Sequence, residues 1–541
     1  MSEPLRQRRA YPFGLSLQVV LAGLMQAASL AWPANGESAL EGLLGLQRGA
    51  PLPWVQLVAL AWAVRVITSA DTPRQSGWLA WLSATTAGAG TTWWLYVSMV
   101  HYGQVPPPLG VIAVLTLAAF LSLPFGMLGW SWRQTRHTRW APWVFGLGWM
   151  LAEWLRGWLW TGFPWANIAS GHVDGLGVLA PWLGASGVAV VVASLAAQMA
   201  ISEGITLVSW TFLGALMVWP GSPWAHWDWS MTRASGTAKV SLLQGNIDQA
   251  DKFDPQKGVP QALSWYPKAI ASSPPSDLIL APETAIPLLP QDVSPAKWFD
   301  FAQAVAHQEA AVAIGVPIVE GDQRYFNAVW WWTPERATRA LNGASLHGQD
   351  FVEATYAKTH LVPFGEYTPW GFQWFAAMLG MPLSGFESGP RHQASIIWAG
   401  QRWGFQICYE DVFGPELAAR MAQDAPSVWI NVSNIAWFGN TVAIDQHLNI
   451  ARWRARELGR SVVRATNTGA TAVIDHLGRV TAQLEPFTRG VLHESVQGRE
   501  GLTPYVRWIG RWHDLPWVLV GVLVWWWAWR SRAQAHQRPD S

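Results

Sequence analysis

Half of the 541 residues are hydrophobic, only 13% are charged and the formal net charge is +1, a balance too poor in charge for a wholly water-surrounded chain and one that implies a membrane. The near-neutral charge and the absence of long Lys/Arg runs exclude the clustered phosphate contacts that nucleic-acid binding needs. A single cysteine, Cys408, rules out an intramolecular disulfide and leaves one thiol that an oxidising compartment cannot trap within the chain.

Seven apolar stretches come first, at 13–32, 52–67, 78–100, 109–130, 141–160, 176–197 and 205–219, and an eighth lies at 515–529. Most approach the roughly 20 residues that a hydrocarbon core about 30 Å thick demands of a helix. Arg6, Arg8, Arg9 and the run after them resemble the start of a signal peptide, but six further spans favour a retained first helix. Positive residues in short loops stay on the cytoplasmic side. Arg6, Arg8 and Arg9, then Arg74, then Arg133, Arg136 and Arg139, and finally Arg530, Arg532 and Arg538 all fall on one face of the resulting topology, with Arg48 the exception on the other. Many of the 41 tryptophans cluster at span ends, where an amphipathic ring prefers the interface. The expectation is a membrane domain over 1–220, a domain outside the cytoplasm over 221–514, and a closing span with a cytoplasmic tail over 515–541. Glu153 and Arg156, inside the fifth stretch, are spaced to pair with each other, and Arg65 lies where its side chain can reach the cytoplasmic interface.

Between 221 and 514 short apolar runs at 239–244, 277–281, 310–318, 325–332, 395–398, 428–432 and 471–474 alternate with helical stretches at 260–272, 295–307 and 445–458. That alternation predicts an α/β domain. Asn467-Thr468-Gly469 and Leu477-Gly478 supply turn chemistry near its end. Three reactive side chains follow expected strand ends: Glu283 after Ala281-Pro282, Lys358 after Tyr356-Ala357, and Cys408 after Phe405-Gln406-Ile407. A free cysteine is more often a small core hydrophobe, and a single Glu or Lys more often a solvated charge. Taken together, however, the three residues provide a base, a cation for an oxyanion and a nucleophile, the set that thiol attack on a carbonyl requires.

The order Glu283, Lys358, Cys408 resembles the nitrilase superfamily. More finely, the chain is similar to its membrane branch, the bacterial apolipoprotein N-acyltransferases. The motifs are Gln244-Gly245-Asn246, Pro282-Glu283-Thr284-Ala285, the run from Leu361 to Pro369, Ile407-Cys408-Tyr409-Glu410, the run from Ser433 to Gly439, Gln446-His447, Arg452, Arg456 and the run from Arg464 to Gly469. The resemblance implies a multi-span α-helical membrane bundle plus an α/β nitrilase-like domain, an αββα sandwich. It further implies Glu283 as general base, Lys358 steadying the tetrahedral intermediate and Cys408 carrying a thioester, with Glu366, Tyr409 and Glu410 in support. The implied reaction moves an acyl chain from a phospholipid, expected to be phosphatidylethanolamine, to the N-terminal amine of a diacylglyceryl apolipoprotein at the bacterial inner membrane, without cofactor or metal. Glu366 has an alternative as a turn residue before Pro369, and Glu410 as a partner for an arginine of the 452–460 helix. Ile435, Ala281 and Phe253 depart from the family pattern, where aspartate and two tryptophans are usual; this bears on loop packing and lipid contact. The apolar stretch 370–383 either guides a lipid chain or packs on the protein.

Overall fold

The computed structural model describes residues 12–35, 39–219, 222–321, 323–343, 346–373 and 385–535. Each of the eight apolar stretches is helical. Helix Pro12–Leu30 packs on Pro53–Thr68 and Pro73–Thr92, Ala141–Trp158 packs on Ala180–Ile201, and the final helix Leu515–Ala535 returns to lie against Ala141–Trp158. Among the described residues two helices are long and apolar enough to cross a membrane, Phe13–Leu30 and Leu176–Ile201. A third is reached if the pair Pro107–Leu121 and Leu123–Thr135 is taken as one span. That pair bends by 42° where a single span over 109–130 is expected, because Pro124 has no N–H to continue the helical ladder and its ring crowds the preceding turn. The stretch 78–100 likewise ends its helix at Thr92 and continues through a π turn at Ser98–Tyr102. Glu153 and Arg156 do pair, at 3.5 Å, while Arg65 donates to the Ser202 carbonyl at the end of a neighbouring helix.

The polar half is built on twelve strands: β1 (Arg233–Gln244), β2 (Leu278–Leu280), β3 (Ala311–Glu320), β4 (Arg324–Trp332), β5 (Val352–Ala357), β6 (Ile396–Trp398), β7 (Gln401–Ile407), β8 (Val428–Ser433), β9 (Ser461–Thr466), β10 (Ala472–Ile474), β11 (Val480–Gln483) and β12 (Gly490–Glu500). They form two six-stranded sheets, ordered β12-β1-β2-β3-β4-β5 and β11-β10-β9-β8-β7-β6. At the centre of each lies a parallel trio, β1-β2-β3 in one and β7-β8-β9 in the other.

Side chains alternate across a strand, and β2 shows the consequence. Leu278 and Leu280 point into the core between the sheets, with Val240, Ala313, Phe405, Ile407, Ile430 and Val463, whereas Ile279 points to the helices outside. Helices Gly258–Ala271 and Pro295–Ala306 cover the first sheet, and helices Gly414–Gln423, Ala443–Leu458 and Pro504–Trp512 cover the second. The layers are therefore αββα. β5 is antiparallel to β4 and β4 to β3, so β5 runs with β2 and β3. The chain consequently leaves β2 and β5 at the same edge of their sheet.

The helix Ala443–Leu458 forms a seam between sandwich and bundle. Gln446 Oε1 accepts from the indoles of Trp94 and Trp165, at 3.1 and 2.8 Å. Glu457 Oε1 accepts from the Ala185 amide at 2.8 Å, and Arg456 donates to the Val173 carbonyl.

Candidate active site

Three strand exits converge. After β2 the chain turns at Pro282, and Glu283 is followed by Thr284 in the left-handed region at φ 50°. The Glu283 backbone passes hard against β3: a Cβ on Gly315 would sit 2.6 Å from Glu283 Cα and 2.4 Å from Pro282 O, so only glycine fits there. After β5 comes Lys358, whose amide donates to Asn327 O across the ladder. After β7, Cys408 opens a tight turn, Cys408–Val412, at φ 52°. Such a conformation is costly for a residue with a Cβ and persists only where surrounding contacts over-determine it.

The Lys358 ammonium lies 3.3 Å from Glu283 Oε1 and 2.9 Å from Glu366 Oε2, with all three side chains nearly closed to solvent. The Asn327 amide sits between the carboxylates and donates to Glu283 Oε1 and Glu366 Oε1, each at 2.7 Å. Carboxylates only accept, so the face of Asn327 turned to them must be its NH2. Glu283 Oε2 takes the Asn434 amide at 2.8 Å, and Glu366 Oε2 takes that of Val362 at 2.8 Å. Glu366 is therefore a ligand of Lys358 rather than a simple turn residue.

These contacts set the charges. Burial pushes the Glu283 carboxyl up, but Lys358, the Asn327 amide and Lys252 outweigh it and hold it low. Burial works against the Lys358 ammonium, yet Glu283 and Glu366 raise it well above the usual lysine range. Burial, followed by the Glu283 carboxylate, pushes the Cys408 thiol up to about 12, with Lys358 opposing. The resting site therefore holds a carboxylate, an ammonium and a protonated thiol. It can accept a proton from sulfur and can offer a positive charge to an oxyanion.

Comparisons with known proteins bear directly on this arrangement. Residues 46–198 match the apolipoprotein N-acyltransferase N-terminal domain, and residues 239–505 match the carbon-nitrogen hydrolase domain. An apolipoprotein N-acyltransferase of Verminephrobacter eiseniae is 41% identical over 91% of this chain and 92% of its own. That of Ralstonia nicotianae is 38% identical over 91% and 92%, and that of Bordetella bronchiseptica 38% over 84% and 90%. The chain belongs to the apolipoprotein N-acyltransferase family.

In this family member the residues that follow the thiol have structural partners of their own. The buried Tyr409 hydroxyl donates to Gly162 O at 3.2 Å, in a loop of the helical bundle, and its ring lies among Phe163, Trp165 and Phe413. Glu410 is a hub. Its Oε2 accepts the Ile407 amide at 2.6 Å and its Oε1 the Thr359 amide at 2.7 Å, while the Tyr356 hydroxyl lies 2.9 Å from both oxygens. Its arginine neighbour is Arg420, which donates to the Tyr356 hydroxyl, and not one from the 452–460 helix.

Of the three departures from the acyltransferase pattern, Ile435 and Ala281 are buried in apolar clusters and Phe253 is exposed. Most of the 370–383 stretch lies outside the described residues; of its start, Trp370 is exposed and its carbonyl accepts from the Trp160 indole. The sequence reading missed Asn327 and Lys252. Lys252 is 2% exposed, donates to Glu283 O at 3.2 Å, and is lowered by burial to about 7. An asparagine interrupting the apolar run 325–332 was the available signal for the first; nothing in the sequence marked the second. Among the described residues no group of three or more His, Cys, Asp or Glu is placed to hold a metal.

Proposed function

We propose that this chain is a phospholipid:apolipoprotein N-acyltransferase that works through a thioester on Cys408. The observation carrying the proposal is the convergence of a strained thiol with a buried carboxylate held low by its neighbours and an ammonium held high. Glu283 removes the Cys408 proton as sulfur attacks the ester carbonyl of a phospholipid such as phosphatidylethanolamine. The tetrahedral oxyanion faces the Lys358 ammonium. Collapse breaks the ester C–O bond, and the departing lysophospholipid takes the proton from Glu283. The α-amine of a diacylglyceryl-cysteine then attacks the thioester and gives up a proton to Glu283. The C–S bond breaks, and sulfur recovers that proton. Ester plus amine thus become amide plus alcohol in two steps, so two bulky lipids use one site in turn.

Membrane placement follows from the same reading. Eight helices embed the bundle in the inner membrane, residues 221–514 stand on the periplasmic side, and both termini are cytoplasmic. Support comes from the arginine bias and from the apolar helices. The test is intact mass spectrometry of the detergent-solubilised enzyme incubated with phosphatidylethanolamine alone. An added acyl mass, absent in Cys408→Ala and discharged by a diacylglyceryl-cysteine peptide, is expected. An active preparation that never carries the adduct would overturn the covalent scheme.

A further inference from the structure

Against the Cys408 carbonyl lies a fully buried cluster that the proposed chemistry does not use. His447, on the seam helix, is 1% exposed. Its Nε2 lies 3.3 Å from the Cys408 carbonyl and 3.0 Å from Asp411 Oδ1, and its Nδ1 lies 2.8 Å from Arg464 Nη2. Arg464 Nη1 donates to Asp411 Oδ2 and Asn431 Oδ1, and Asn431 Nδ2 reaches the same Cys408 carbonyl at 3.5 Å.

Donor arithmetic fixes the imidazole. A guanidinium has donors only, so Nδ1 must accept from Arg464 and cannot carry a proton. The ring proton is then on Nε2, where its two neighbours, the Cys408 carbonyl and the Asp411 carboxylate, both accept. Burial, reinforced by Arg464 and opposed by Asp411, lowers the imidazolium and keeps the ring neutral. We infer that His447, locked by Arg464 as the Nε2–H tautomer, is a positioning residue that pins the carbonyl of the nucleophile and so holds Cys408 in its strained turn. The Cys408–Tyr409 peptide is not cis. Pinning its carbonyl therefore fixes the plane of the peptide that leaves Cys408, and so ψ at Cys408, which closes the turn entered through the left-handed φ.

The device also has a route to the membrane. Gln446, next to His447, is held by Trp94 and Trp165, and the Trp165 ring lies 5.2 Å from that of His447. The helix that pins the nucleophile is thus itself held by the bundle.

The inference rests on Cys408 being the acylated residue, and the test separates the two. Full-length enzyme in detergent is mixed with phosphatidylethanolamine, and the single-turnover rate of adduct formation and the KM for lipid are measured for wild type, His447→Leu, His447→Gln and His447→Asn. Leu removes donor and acceptor. A nucleophile displaced by about 1 Å loses roughly 100-fold in rate, with KM unchanged because no lipid contact is altered. Gln offers an amide donor at the ε position and an oxygen acceptor, and recovers at least about tenfold over Leu. Asn places its amide one carbon too short and stays slow, so the Gln and Asn pair decides the matter if Leu fails to fold. A Leu variant at the wild-type rate, a loss confined to KM, or Gln no faster than Asn overturns the inference. Wild-type enzyme that is active but forms no adduct instead sinks the thioester scheme on which it rests.

Discussion

Replacing Asn327 with leucine, of similar volume, takes from Glu283 and Glu366 the donor they share. Each bond joins a neutral amide to a buried carboxylate at 2.7 Å, and a hydrogen bond to a charged group is worth about 1.5–3 kcal/mol. The bond to Glu283 favours the ionised carboxylate, so its loss raises that carboxyl and leaves more of the base protonated at a given pH. Adduct formation should therefore fall by roughly 10- to 150-fold, the equivalent of that one bond, on the acid side of the profile. The deficit narrows as pH rises, and the acid limb moves to higher pH. Quenched-flow sampling with intact mass spectrometry from acid to alkaline pH reads both features. An acid limb that stays in place or moves to lower pH, with folding intact, refutes the account of how Glu283 is kept ionised.

Two further substitutions test the remaining electrostatics and the flanking tyrosine. Because the Glu283 carboxylate follows burial in raising the Cys408 thiol, Glu283→Gln should move the pH profile of iodoacetamide labelling at Cys408 to lower pH while abolishing lipid-dependent adduct formation; a labelling profile that moves up contradicts the assignment. Tyr409→Phe should cost about 1 kcal/mol by thermal unfolding and leave acylation within roughly threefold, since it loses only the bond to Gly162. Tyr409→Ala opens a cavity among Phe163, Trp165 and Phe413 worth about 3–5 kcal/mol. A Phe variant as inactive as Ala would place the hydroxyl in the chemistry.

What was legible in the sequence follows from where the information lies. Glu283 and Cys408 each follow an apolar run that ends in a break and Lys358 follows a short polar strand, so local patterning marked them as candidates, and only their order along the chain set them above a core thiol and two solvated charges. The eight apolar stretches are helical for the same reason, although 109–130 divides into two helices and 78–100 ends its long α-helix at Thr92. Asn327 was hidden because one polar residue within Arg324–Trp332 has no meaning until β3 and β5 close on either side of β4. Lys252 reads as a surface lysine in a polar loop, and only tertiary folding buries it against Glu283. The role of Glu410 was equally invisible, since its partners are backbone amides some 50 residues earlier at Thr359 and His360. β9 and β11 fall outside the seven runs, and so does β12, which mixes exposed, half-buried and buried positions, carries Glu494 and Arg499 and lacks an apolar run such as those of β1 and β3.

The Glu410 hub has a mechanical consequence. The candidate nucleophile hangs from one sheet and Lys358 from the other, and the two sheets meet elsewhere largely through apolar side chains, which resist separation but have no preferred lateral register. A single carboxylate that grips Ile407 on one side and Tyr356, Thr359 and His360 on the other works as a rivet through both plates. Sliding or breathing of the sandwich then carries sulfur and ammonium together. The distance that matters for acyl transfer is thereby insulated from shear between the two sheets.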